Sequence, residues 1–190
     1  PFKICAKVCT TCLVPIAQCT ISRSQSAFIR VRHILEGPLA LQEIIHELKR
    51  TNEPAILLKM DFEQAYDWVN WDFLCQVLLS QGFSTVWVHR VMQLVSGGET
   101  TISVNGEVGH FFRNRRGLRQ GDPMSPILFN FVVDALAAMP RKAIEAGHIK
   151  GVVGHLIPGG GVSHLQYADA SQYCCSSRNS TTYDGQSRSP

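Results

Sequence analysis

AILLKMDFEQAYD, residues 55–67, is the stretch whose reading decides the fold. Its first part, AILLKMDF (55–62), is a short apolar run that follows the break at Thr51 to Pro54, and it predicts a buried strand. Asp61 stands at the exit of that strand. A carboxylate there is costly to bury unless it is paired or bound to a cation. The alternative is a helix N-cap, with Asp61 satisfying the first amides of FEQAY. Asp67 and Asp72 have the same plain explanation, as surface or capping residues.

On either side of this stretch the periodicity alternates between helix and strand. Residues 2–17 read as a helix with Ile4, Val8, Leu13 and Ile16 as its apolar positions. PLALQEIIHELKR (38–50) starts on Pro38 and places Leu41, Ile44, Ile45 and Leu48 on one face. Downstream, WDFLCQVLLSQGF and STVWVHRVMQLV read as two amphipathic helices, and Trp68, Trp71 and Phe73 are core candidates. TTISVNGEVGHFF is a hairpin: strand residues alternate around Asn105-Gly106, a pair suited to the positive φ angles of a tight turn. SPILFNFVVDALAAMPRKAIEAG is a long helix that Pro140 must kink or end, since proline lacks the donor and clashes with the preceding turn. GVSHLQYAD and SQYCC are two strands joined around residues 168–171.

The 190 residues, 45% apolar with mean hydropathy near zero, suit one packed domain or a fragment of a larger one. No run of about 18 apolar residues occurs, so no spanning helix and no membrane partner is expected. The net charge of +3 is compatible with a polyanion partner without arguing for one. Seven cysteines leave one over in any complete disulfide set, which favours a reduced, intracellular chain. Cys5, Cys9, Cys12 and Cys19 lie early. Cys5, Cys9 and Cys12 share a helix face, but the spacing fits a zinc knuckle poorly, and they could equally be small buried residues. His110, His155 and His164 have no metal-ligand spacing.

RNRRGLRQGDPMSP (113–126) concentrates Arg113, Arg115, Arg116 and Arg119 around Gly117 and Gly121. The plain reading is a solvated loop. The functional reading is a phosphate contact, because guanidinium forks match phosphate and glycine lets a ligand approach the backbone. Gln120 adds a donor–acceptor pair suited to a base edge or a sugar.

In this order and spacing, LLKMDFEQAYDWVNWDFL, NGEVGHFFRNRRGLRQGDPMSPILFNFVVDAL and LQYAD resemble the palm motifs of a reverse transcriptase. The likeness is to the non-LTR retrotransposon type abundant in plants, and ISRSQSAFI resembles the finger segment before the palm. The match runs from about Lys3 to Asp169, and LRQGDPMSP with an upstream DFEQAYD is its most specific part. The resemblance implies RNA-templated DNA synthesis, with RNA template, DNA primer and deoxynucleoside triphosphates as partners. It implies that Asp61 and Asp169 are catalytic and hold two Mg²⁺ ions, or Mn²⁺, through hard oxygen ligands. Tyr66 would be the steric gate against a ribose 2′-hydroxyl, in a nucleotide pocket shared with Phe62, Ala65, Gln120 and Gly121. Arg116 and Arg119 would contact nucleic-acid phosphates, and Lys7 and Arg32 occupy basic finger positions. The implied fold is α+β: a right-hand polymerase fingers–palm fragment, its antiparallel palm sheet backed by helices, with the thumb absent. Residues 1–54 would be the finger-like helical segment, 55–175 the palm-like catalytic region and 176–190 a disordered, out-of-frame tail.

Several positions depart from the family pattern. The turn carries Ala170 where the family has a second aspartate. A methyl group can neither coordinate a cation nor offset the charge of two ions, so little or no polymerase activity is expected. SQYCCSSRNSTTYDGQSRSP replaces the apolar strand that should follow, as though the frame were disrupted at or just after Asp169. Cys12 and Cys19 stand at expected basic positions, and Arg30-Val31 at an expected proline-glycine turn. The alternative reading is a non-catalytic nucleic-acid-binding remnant that uses the retained arginines.

Overall fold

Ile56–Asp61 forms strand β1, and two later strands complete its sheet. The computed structural model describes residues 2–29, 32–33, 35–155, 161–167 and 170–175. Strand β6 (His164–Tyr167) returns into β7 (Ala170–Cys175), and the sheet runs β1-β7-β6, antiparallel throughout. The expected pair of strands joined around 168–171 is therefore present. Its register sets Asp61 across from Ala170 on one side of β7 and Tyr167 across from Ala170 on the other.

β1 is not the buried strand that its composition predicts. Ile56, Leu57 and Leu58 are 63%, 44% and 53% exposed, whereas on the opposite edge strand β6 His164 and Gln166 are buried, with Gln166 bonded to Ser26 and to Val133 of the helix that follows residue 124. An apolar run shows that a strand can be buried, but whether anything covers it depends on distant parts of the chain.

Helix α1 (Phe2–Thr20) buries Leu13 as expected but turns the other three expected positions outward. Ala6, Thr10, Leu13 and Ala17 are buried, while Ile4, Val8 and Ile16 are exposed. The small Ala6, Thr10 and Ala17 flank Leu13 at i, i+4, i+7 and i+11 and let α1 lie close to its neighbours, which outweighs the bulk on the other side. Cys5 and Cys12 are exposed as well, so they are not core residues.

Helix α2 (Glu36–Thr51) ends on Asn52, whose left-handed conformation returns an amide to the Leu48 carbonyl. Ile44 and Leu48 pack with Cys174, Val152 and Val153 in a small core on the β6–β7 sheet. The larger core is helical. Helix α3 (Trp71–Ser80) is capped by Asn70, which accepts from the Phe73 amide at 3.0 Å, and α4 (Thr85–Ser96) is capped by Ser84. Leu74, Leu78, Val88 and Val91 from these helices meet Leu13, Leu128 and Phe131.

Helix α5 (Ser125–Glu145) supplies most of the inner wall and continues through Pro140, where the sequence predicts a kink or an end. Its entry is set by Asp122, whose carboxylate accepts the Met124 amide at 2.8 Å, and by Pro126 in the first turn. Between α4 and α5 the chain forms the expected hairpin as two short ladders. Strands β2 (Glu99–Thr100) and β5 (Phe112–Arg113) pair at its base, and β3 (Ser103–Val104) and β4 (Glu107–Val108) pair around the Asn105-Gly106 turn, both of whose φ angles are positive. Among the described residues no helix is long and apolar enough to cross a membrane.

Candidate functional site

The turn after β1 and the arginine-rich loop are held together by main-chain bonds. Gly117 N–H donates to the Val69 carbonyl and Leu118 N–H to the Tyr66 carbonyl, both at 2.8 Å, and Trp71 Nε1 donates to the Gly117 carbonyl at 2.8 Å. Gly117 has φ +91°, and a Cβ there would lie 2.8 Å from the Asp67 carbonyl oxygen, so the close approach requires glycine. Two motifs about fifty residues apart in sequence thus become one surface.

Two grooves open on that surface. The first, about 1140 Å³, is lined by Arg113, Arg115, Arg116, Arg119, Gln120 and Trp68, among others. Arg113 pairs with Glu99 at 3.1 Å across the β2–β5 ladder. The Arg119 guanidinium lies over Gly98, where any Cβ would overlap it. The Arg116 guanidinium sits 3.7 Å from the centroid of the Trp68 ring. The second groove, about 570 Å³, is mainly apolar and holds Asp61, Phe62 and Ala65 against Phe129 and Val133, with Trp68 again on its wall.

The expected nucleotide-site residues are divided between these grooves. Asp61, Phe62 and Ala65 share the second, and Gln120 lies in the first with Arg116 and Arg119. Tyr66 is half-buried against the helical core, with its ring stacked on Phe129 at 4.5 Å. Gly121 has φ +82° and open space around its Cα. Arg32 lies elsewhere: its guanidinium donates to the carbonyls of Ile21, Ser22 and Gln25, and so ties down the segment that runs beside β6. Lys7 is exposed on α1. Asp169 lies outside the described residues, as do Arg30, Val31 and the 176–190 tail.

Asp61 is an exposed carboxylate at a strand end and is not a helix cap, because a series of turns and no helix follows it. For an oxygen-seeking divalent cation it is one suitable ligand. Its register partner Ala170 carries no donor, and among the described residues no group of three or more His, Cys, Asp or Glu side chains could hold a metal. The described residues therefore do not complete a donor set for two ions.

Behind the sheet, a polar chain fixes the 22–27 segment to β6. Asp134, buried on α5, accepts the Ser22 amide at 2.9 Å, and Ser24 Oγ lies 2.7 Å from His164 Nε2. Burial holds the His164 imidazole below its ordinary range; Arg141 pushes it the same way and Asp134 opposes. Gln166 donates to the Val133 carbonyl at 3.3 Å and so joins β6 to α5. These contacts brace β6, which ends at Tyr167.

Sequence reading missed Trp68 as a surface residue. Core packing is the ordinary fate of tryptophan, and the usable signal was its position between Asp67 and Asn70, outside any helical repeat. Gly98 was missed too, since nothing local marks it as the floor under Arg119.

The family model described as reverse transcriptase (RNA-dependent DNA polymerase) matches residues 1–185. The chain is 24% identical over 143 residues to the transposon TX1 149 kDa protein of Xenopus laevis, covering 75% of this chain and 11% of that one. It is 30% identical over 112 residues to the retrovirus-related Pol polyprotein of the R2 element of Nasonia vitripennis, covering 59% and 11%. Among solved structures, apo telomerase from Candida tropicalis truncated from its C-terminal domain superposes with a TM-score of 0.61 at 14% identity. That superposition covers 91% of this chain and 34% of the telomerase. The chain thus spans about a tenth of the length of these curated relatives.

Proposed function

The chain belongs to the reverse transcriptase (RNA-dependent DNA polymerase) family, and from that premise we propose that it is the fingers–palm part of a non-LTR retrotransposon polymerase that binds template and primer but extends them poorly. The observation that carries this reading is the docking of the arginine loop on the turn after β1, through Gly117 and Leu118. That contact sets an arginine-lined groove beside the strand that ends in Asp61. The roles follow from side-chain chemistry. Arg116 and Arg119 take phosphates of the bound strand. Phe62, Ala65, Tyr66, Gln120 and Gly121 shape the nucleotide site, and Asp61 with Asp169 supplies the acidic ligands. Mg²⁺ is the expected ion, and when bound it would neutralise charge on the transferring phosphate.

Poor extension is inferred from the register. The residue directly across from Asp61 is Ala170, and opposed strand positions carry Cβ atoms about 4.5–5.5 Å apart. A carboxylate at 170 would stand within reach of a cation on Asp61; alanine offers nothing to it. Without that ligand the reacting oxygens are poorly placed, and a misplacement of about 1 Å can cost about a hundredfold in rate.

Primer extension on an RNA template, with Mg²⁺ or Mn²⁺, tests the reading on the chain as it stands and on Ala170→Asp. Binding of template–primer with negligible extension, and a gain of extension in Ala170→Asp, is the expected result. Binding without any gain favours the second reading, a nucleic-acid-binding remnant. Absence of binding by both chains overturns the proposal.

A further inference from the structure

Trp68 is 57% exposed and stands where the two grooves meet. Leaving a large indole face in water is unfavourable, and here the Arg116 guanidinium lies over that face, 3.7 Å from the ring centroid. Trp71 and Trp87 are engaged elsewhere: Trp71 donates to the Gly117 carbonyl, and Trp87 stacks on Phe83 at 4.5 Å. Phe112, also exposed, lines the same arginine groove. Cationic forks that alternate with open aromatic faces match a ligand with both phosphates and flat π-surfaces. Duplex bases are already stacked on each other, so such a surface favours an unpaired strand.

We propose that Trp68 is a nucleobase-stacking residue for a single-stranded nucleic acid lying in the arginine groove. An unpaired base takes the indole face, and Arg116 leaves the ring for a neighbouring phosphate. Trp68 also walls the groove that holds Asp61, so the strand stacked on it is directed toward the acidic end of β1. This deepens the nucleic-acid reading above and rests on it. It adds a residue that recognises bases to arginines that recognise backbone.

The test is fluorescence anisotropy of the chain with four labelled oligonucleotides of equal length: single-stranded RNA, single-stranded DNA, a hairpin duplex and an abasic strand. Trp68→Ala is expected to weaken both base-bearing single strands about 5- to 150-fold, the range for one stacked base. The dependence on salt should be unchanged, because no phosphate contact is lost. The abasic strand should bind the chain and Trp68→Ala alike, and Trp68→Phe should restore most of the affinity. Arg116→Ala should lower the salt slope by about 1. Equal binding of base-bearing strands by the chain and Trp68→Ala overturns the proposal, as does an equal loss on the abasic strand. Hairpin duplex bound as tightly as single strand, with no dependence on Trp68, also overturns it and leaves a backbone-only interface. A chain that binds none of the four overturns this proposal and the proposed function together.

Discussion

Gly117→Ala should destabilise the protein by about 2–5 kcal/mol, a figure that follows from what surrounds the Cα. At φ +91° an L-residue is strained by about 1–2 kcal/mol. The new Cβ would lie 2.8 Å from the Asp67 carbonyl oxygen and 3.1 Å from its Cα, against about 3.5–4.0 Å for comfortable contact. Those atoms are main chain, so the loop must lift away from the turn. Lifting it stretches the Gly117–Val69, Leu118–Tyr66 and Trp71–Gly117 hydrogen bonds, each contributing about 1 kcal/mol net. Urea denaturation followed by far-UV circular dichroism measures the loss. Tryptophan fluorescence reports release of Trp71 from the Gly117 carbonyl. Gly121→Ala is the control, since φ is +82° but nothing lies within 4 Å, and only the backbone strain of about 1–2 kcal/mol applies. If both variants lose the same stability, the close approach at 117 has no energetic weight and the docking argument fails.

Three further expectations follow from other parts of the molecule. Gly98→Ala places a methyl group into the Arg119 guanidinium, the far end of a flexible side chain, so stability should change by less than about 0.5 kcal/mol. Its salt slope for single-stranded oligonucleotide should drop by about 1, and an unchanged slope removes Arg119 from the interface. The carboxyl of Glu47, on the inner side of α2 beside the turn at 155, has its pKa held down to about 2, first by hydrogen bonds from Arg50 and then by His155, whose Nε2 lies 2.8 Å away. A depressed carboxyl contributes stability above its ordinary range that is lost as pH falls through the folded value. Unfolding measured between about pH 5 and 2 should therefore be less steep in Glu47→Gln, and an identical acid limb rejects this linkage. Burial, with Cys175 beside it, pushes the Cys174 thiol up to about 11. At about pH 8, alkylation read by mass spectrometry should label the exposed Cys5, Cys12 and Cys19 and spare Cys174 until denaturant is added. Labelling of Cys174 at the rate of Cys5 would contradict the buried assignment.

Local chemistry determined a good part of this protein in advance. Asn105-Gly106 fixed a hairpin because few other pairs tolerate two positive φ angles, and Asp61 and Tyr167 lay at strand ends because apolar runs bounded by breakers fold that way. The family likeness was legible for a related reason: motifs such as LRQGDPMSP require particular residues at adjacent positions, so they stay contiguous in the chain. Only the tertiary structure decided which faces are covered. β1 has the composition of a core strand and lies at an edge, and α1 buries Ala6 and Ala17 while Ile4 and Val8 face water. Trp68, read as a core residue, stands under Arg116 at the junction of two grooves. Periodicity records which side chains could be buried together. Burial itself depends on what lies opposite, and that partner comes from residues far away in the chain.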